Sequence, residues 1–337
     1  MTEETIIAWN SLSTEDQKDI FQEAATITGL PTAAVEKDWW VSLTLQMLFE
    51  LPFAEELLFK GGTSLSKGWN LIERFSEDID LAIDRRYLGF EGDLSNTQVK
   101  KLKRAACTFV NGELYDALAN KITSLELTEA TLKVQEYKDP DTDPLNIELI
   151  YKSLVNDVAY LQPRVLIETG ARSLMEPTEE RTIQSIVGRS LADHGFVDQP
   201  FAVATVLPKR TFLEKAFLLH EEFQKPLERI KVNRLSRHLY DLDTLAMTQH
   251  GRDALEDTNL YQTIIKHRQV FNKIKGIDYT THLPGKIDFV PPEGIIQAWK
   301  EDYLTMQANM IHGESKPFDQ LIQSIMGLRE KFRAINF

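Results

Sequence analysis

The sequence predicts an α/β chain of the α+β kind, with a sheet-bearing centre and helices before and after it. Three observations carry this. Residues 57–83 read as a strand, a Gly61-Gly62 turn, a short helix and a second strand. Further alternating stretches follow, at Leu132 and Val134, at Ile147, Leu149 and Tyr151, and over 164–170. On either side, apolar residues recur at helical spacing. Three parts result: an N-terminal helical segment, 1–50, packed on the core; the core, 51–207; and a helical domain, 208–337.

Composition bounds the possibilities. A hydrophobic fraction of 42% with 26% charged residues is that of a globular chain. No apolar run approaches the ~20 residues of a membrane span. The acidic Met1-Thr2-Glu3-Glu4 start is no secretory signal. Cys107 is the only cysteine, which excludes an internal disulfide and a cysteine-built zinc cluster and points to the cytoplasm. The net charge of −13 means that any nucleic-acid contact must be a local basic patch.

Taken in order, Thr14 and Gln17 have the spacing of a capping box, followed by Ile20, Phe21 and Ala24 on one face. Gly29 ends that helix and Pro31 opens the next, where Val35, Trp39 and Leu43 repeat and Trp39 and Trp40 belong to the core. Leu57 to Lys60 is a short buried strand. Thr63 opens a helix carrying Leu65, Trp69 and Ile72 on one face. The second strand spans 76–83. A long amphipathic helix over 97–122 buries Leu102, Ala106, Phe109, Leu114, Leu118 and Cys107. Lys100, Lys101, Lys103 and Arg104 near its start read as a solvated face, with an RNA-backbone contact as the alternative. Asp139-Pro140-Asp141-Thr142-Asp143-Pro144 reads as a turn. From about 208 the chain is helical, with Thr211-Phe212-Leu213-Glu214 as a capping box and Phe212, Ala216, Leu219 and Phe223 on one face until Pro226. Leu321, Ile325, Leu328 and Phe332 read as a packing face.

The chemistry concentrates in two short stretches. Gly61-Gly62 permits positive φ and lets a phosphate approach bare backbone. In the second strand Asp78 and Asp80 share one face because side chains alternate, and two carboxylates so placed suit Mg²⁺. Lys215 follows the capping box by one residue, which places it in the first turns of its helix, where an anion is favoured. Between Lys209 and His238 eight cations face four acids, a local +4 suited to a triphosphate or RNA.

Lys60-Gly61-Gly62-Thr63-Ser64-Leu65 with Arg74-Phe75-Ser76-Glu77-Asp78-Ile79-Asp80-Leu81 resembles the signature of the AbiEii/AbiGii-type toxins. These are MenT-like nucleotidyltransferases of the DNA polymerase β superfamily. The match is close over about twenty residues, and a weaker likeness extends over most of the chain. The resemblance implies a polymerase-β-like core with a mixed sheet, N-terminal helices and a C-terminal helical domain. It implies a Mg²⁺-dependent enzyme (Mn²⁺ as an alternative) that moves a nucleotide from an NTP to an RNA acceptor, the 3′ end of tRNA, with a cognate antitoxin as partner.

Residue by residue, the resemblance gives Asp78 and Asp80 the metal, and Gly61, Gly62, Thr63, Ser64 and Ser76 the phosphates. Phe212-Leu213-Glu214-Lys215-Ala216-Phe217 resembles the segment with a nucleotide-contacting lysine, here Lys215. A third carboxylate, metal ligand or base, is Glu168 in Ile167-Glu168-Thr169-Gly170, with Glu148 as its rival. Arg237-His238-Leu239-Tyr240-Asp241-Leu242 resembles the family's Arg-Asp-Leu-Tyr-Asp-Leu pattern, departing at His238, so only Asp241 is carried over, as the alternative to Glu168 in completing the metal shell or taking the acceptor's proton; an ion pair with Arg237 is its other reading. Two further functions stay open: an aminoglycoside-type small-molecule transferase, and a catalytically silent nucleotide-binding module.

Overall fold

A computed structural model describes residues 3–135, 145–155, 161–171, 177–192, 194–272 and 274–336. It divides into two compact units, Met1–Trp69 with Phe75–Thr205, and Asn70–Arg74 with Val206–Phe337.

The first unit is built on a mixed seven-stranded sheet in the order β3-β4-β5-β2-β1-β7-β6. Its strands are β1 (Leu57–Lys60), β2 (Asp78–Ile83), β3 (Ala130–Val134), β4 (Leu145–Tyr151), β5 (Arg164–Gly170), β6 (Thr178–Ile183) and β7 (Phe201–Val206). β2 runs antiparallel to β1 and parallel to β5. Leu57, Phe59, Ile79, Leu81, Ile147, Leu149, Val165 and Ile167 are fully buried, so the alternation in each strand puts one face into the core.

Around the sheet lie α1 (Glu3–Asn10), α2 (Thr14–Thr28), α3 (Thr32–Phe49), α4 (Gly61–Thr63), α5 (Asn96–Phe109), α6 (Tyr115–Ser124) and α7 (Ile186–Ser190). Trp9 stacks on Trp39 at 4.7 Å and Trp40 on Tyr151 at 4.8 Å, so the paired tryptophans are core residues as the sequence predicts. Gly29 caps α2 at φ +72 and Pro31 precedes α3, also as expected.

Several local expectations are corrected. The capping box of α2 is Ser13 with Asp16, one residue ahead of the Thr14–Gln17 reading, because Asp16 reaches the Ser13 amide. The helix opened by the glycines is short: α4 passes into a π-helical turn over Ser64–Gly68 and ends, so Ile72 is not on its face. The long helix predicted over 97–122 is α5 and α6 joined by a second π-helical turn, Val110–Leu114, with Leu102, Ala106, Phe109, Leu114 and Leu118 buried. Cys107 is only half-buried and its Sγ accepts from Asn111 Nδ2 at 3.3 Å. Lys100, Lys101 and Arg104 are exposed. The Asp139–Pro144 turn lies outside the described residues.

The second unit is helical: α8 (Pro208–Phe223), α9 (Ser236–Ala246), α10 (Gln249–Glu256), α11 (Thr258–Phe271), α12 (Ile296–Asn309) and α13 (Phe318–Arg333). Phe332 packs against Phe212 at 5.5 Å and Phe289 at 5.0 Å, and Leu321, Ile325 and Leu328 are buried beside it on α13. The Thr211–Glu214 capping box is not formed. α8 starts at Pro208, whose fixed φ and missing N–H suit the first helical position, and Glu214 bonds instead to Arg210. Lys215 is therefore two turns inside the helix.

Candidate active site

Gly61 follows the last residue of β1 at φ +78, a conformation that a side chain strains. A Cβ built there would lie 1.8 Å from Asp80 Oδ2. The glycine is thus required twice, by its backbone and because the Asp80 carboxylate fills the space where a side chain would begin. The hydroxyls beyond it hold the turn together. Thr63 Oγ1 donates to the Asp78 carbonyl and accepts from Ser76 Oγ (2.9 Å), and Ser64 Oγ donates to the Gly61 carbonyl at 2.9 Å. Both residues are fully buried: the Thr63 hydroxyl fastens the turn to β2 and the Ser64 hydroxyl closes the turn on itself, while Gly61, Gly62 and Ser76 are half-buried.

Register brings the carboxylates into rows. Lys60 lies opposite Asp80, Asp80 opposite Glu168, and Glu168 opposite Asn146. Paired residues point to the same face, so this row crosses four strands with two acids as neighbours at its middle. Asp78 sits in the adjacent row, opposite Leu166, and Glu148 lies beyond Leu166. Glu148 is ion-paired to Arg164. Glu168 is therefore the acid on the strand next to β2, and Glu148 is one strand further off. Like charges set opposite one another repel, and a bound cation would relieve the repulsion. Among the described residues no three of His, Cys, Asp and Glu form a metal-holding group by themselves. The donor set that fits a divalent ion is thus the oxygen pair Asp78 and Asp80, leaving positions for substrate oxygens and water. Lys60 joins the row without having been singled out in the sequence; the signal was its place immediately before Gly61.

Helix α3 supports this arrangement with three consecutive buried charges, in the stretch Val35 to Val41 whose sequence resembles the segment before the glycine motif in longer AbiEii-type members. Glu36 accepts from Ser153 Oγ (2.6 Å) and the Leu154 amide (2.7 Å). Lys37 donates to the carbonyls of Gln162 and Arg164 and pairs with Glu77 at 3.2 Å, tying the starts of β2 and β5 together. Burial lowers the Lys37 ammonium from its ordinary range, and Glu77 opposes this. Asp38 pairs with Lys67 in the π-helical turn after α4 and accepts from the Ile186 amide at 2.7 Å. Arg181 closes the other side, donating to the Gly68 carbonyl (3.0 Å) and lying 4.4 Å over the Trp69 ring.

The second unit holds Lys215 and Asp241 in one buried cluster. Asp241 receives a fork from Arg74, Nε to Oδ1 and Nη2 to Oδ2, both at 2.7 Å, and its Oδ2 lies 2.8 Å from Lys215 Nζ. Lys215 Nζ also stands 3.4 Å from His238 Nδ1. Burial alone would raise the Asp241 carboxyl, but Arg74 and Lys215 outweigh it and hold the group well below the usual range. Burial lowers Lys215, with Asp241 opposing. Asp241 is thus paired with Arg74 and Lys215, and Lys215 is buried. Other cations of the +4 stretch are also neutralised: Lys209 by Asp257 (2.7 Å), Arg210 by Glu214 (3.1 Å) and Lys225 by Glu222 (2.5 Å).

A glycine turn seated against a paired-aspartate strand is the apparatus of nucleotidyl transfer. The family model described as "Nucleotidyl transferase AbiEii toxin, Type IV TA system" matches residues 44–324. The chain belongs to this AbiEii family; it is a nucleotidyltransferase, the toxin of a type IV toxin–antitoxin system. No curated protein matches it. Enzymes of this kind use an NTP and a divalent cation, and the toxin–antitoxin setting implies an antitoxin. No helix among the described residues is long and apolar enough to cross a membrane.

Proposed function

We propose that the chain transfers a nucleotide from an NTP to an RNA acceptor, the 3′ end of tRNA, in the cytoplasm and with Mg²⁺ (Mn²⁺ substituting). The observation that carries this is the Asp80 carboxylate lodged against Gly61, in register with Glu168 and one alternation from Asp78. In this reading residues 51–207 carry the chemistry, 1–50 brace them and 208–337 supply Lys215. Asp78 and Asp80 hold the ion, with Glu168 beside them. The ion supplies charge neutralisation at the triphosphate and activation of the acceptor hydroxyl. Gly61 and Gly62 present backbone to phosphate oxygens, Thr63 and Ser64 lock that turn, and Ser76 borders it. Glu168 accepts the proton of the acceptor hydroxyl as its oxygen attacks the α-phosphorus and pyrophosphate leaves. Lys215 neutralises phosphate charge, with Asp241 and Arg74 holding its ammonium in place.

The test is incubation of purified protein with each labelled NTP, total RNA and Mg²⁺, resolved on a gel. A labelled band of tRNA size is expected, absent with Asp78→Ala or Asp80→Ala proteins whose circular dichroism is unchanged. Full labelling by Asp80→Ala would refute the site. Label on an added aminoglycoside instead of RNA would assign the small-molecule reaction. Expression without the antitoxin should slow growth only while Asp78 and Asp80 are intact.

A further inference from the structure

His238 lies in the first turn of α9, 9% exposed, with Nδ1 facing the Lys215 ammonium at 3.4 Å. An ammonium has protons to give and no lone pair to accept with, so this contact requires Nδ1 to be the acceptor. In a neutral imidazole the ring proton must then sit on Nε2. Neutrality follows from the surroundings. Burial holds the imidazole well below its ordinary range, and Lys215, Arg237 and Arg74 add to this while Asp241 opposes it. The partly positive end of α9 acts in the same direction.

Among the described residues Nε2 has no hydrogen-bond partner. Nε2 is not wholly buried and keeps some contact with solvent. Lys215 thus orients a single N–H donor to the edge of a cluster where Arg74 and Lys215 share one carboxylate. A donor held among cations selects an acceptor that carries negative charge but no proton to clash with. A phosphate oxygen has those properties.

We propose that His238, through Nε2–H, is a phosphate-binding residue that contacts an oxygen of the triphosphate beside Lys215. This rests on the assignment of Lys215 to the triphosphate. The ring is a donor of fixed tautomer, and Lys215 serves both as a charge and as the group that sets that tautomer.

Asparagine and glutamine separate the two ring nitrogens. His238→Asn keeps an acceptor near Nδ1 and loses the donor at Nε2; His238→Gln reaches the Nε2 position with an amide N–H. Binding of inorganic triphosphate, followed by calorimetry, should weaken about ten-fold in His238→Asn, the effect of one hydrogen bond to a charged group, and by less than about two-fold in His238→Gln. Wild-type binding by His238→Asn, with His238→Gln impaired, would overturn the proposal and leave His238 as a support for Lys215. A second measurement uses the unmutated protein. The ¹⁵N shifts of the His238 ring should report the Nε2–H tautomer and change at Nε2 when triphosphate is added. An Nδ1–H tautomer, or no change at saturation, would also overturn it. Lys215→Met tells the two levels apart. If it binds triphosphate as well as wild type, the parent assignment fails. If it loses binding while His238→Asn does not, only the role of His238 fails.

Discussion

Replacing Gly61 by alanine should disable the enzyme by a distance that can be read from the fold. The new Cβ would begin 1.8 Å from Asp80 Oδ2, and contacts under 3.0 Å are not tolerated, so the carboxylate must retreat by about 1.2 Å. A misplacement of ~1 Å at a reacting centre costs on the order of 100-fold in rate. The left-handed backbone adds roughly 1–2 kcal/mol of destabilisation. Gly29 separates the two effects, since it has φ +72 but nothing within 4 Å of the point where a Cβ would stand. Gly29→Ala should therefore lose only the backbone contribution in urea denaturation and keep its turnover, while Gly61→Ala loses more stability and about 100-fold in nucleotide transfer at saturating NTP. A folded Gly61→Ala enzyme with turnover close to that of Gly29→Ala would refute the placement of Asp80 at the chemistry.

Asp241→Asn removes the charge that Arg74 and Lys215 share in a buried setting, and urea denaturation should show a loss of about 3–5 kcal/mol; a loss below about 1 kcal/mol would mean that other groups hold these cations. Glu221, buried on α8, accepts from Arg268 at 2.6 and 2.5 Å and from His282 at 2.9 Å. Burial would raise its carboxyl, but these partners hold it down at about 2. A depressed carboxyl stabilises above its unfolded value and loses that contribution as pH falls. The stability gap between wild type and Glu221→Gln should therefore be full at pH 6, about 3 kcal/mol, and close between about pH 4 and pH 2. A gap that stays constant over that range would show that the carboxylate charge is not its source.

The local features of β1, β2 and β5 were legible because they follow from alternation and glycine. β1, the Asp78 and Asp80 face and the 164–170 strand all follow from period-two patterning in short segments. Register was not legible. That Glu168 and not Glu148 adjoins Asp80 depends on which strands pair, and residues far apart in the chain decide that. Buried charge was harder still. Lys215 reads as a cation in the first turns of a helix, and its environment becomes clear only with Arg74, whose carboxylate partner Asp241 is 167 residues further along the chain. The apparent capping box at Thr211 misled because Pro208 offers an earlier start that sequence spacing alone did not weigh.

Helix α3 gives the site an upstream boundary. The family match begins at residue 44, within α3, whereas Glu36, Lys37 and Asp38 lie before it. Successive helical residues point about 100° apart, which lets three neighbours fasten three different places: the 153–154 loop, the strand starts at Glu77 and Arg164, and the turn at Lys67. A chain trimmed to the matched span would take Asp38 from Lys67 and Lys37 from Glu77, next to the strand that carries Asp78 and Asp80. Buried ions stripped of their partners cost about 3–5 kcal/mol each. The first compact unit therefore extends upstream of the family boundary, with α3 as its keystone.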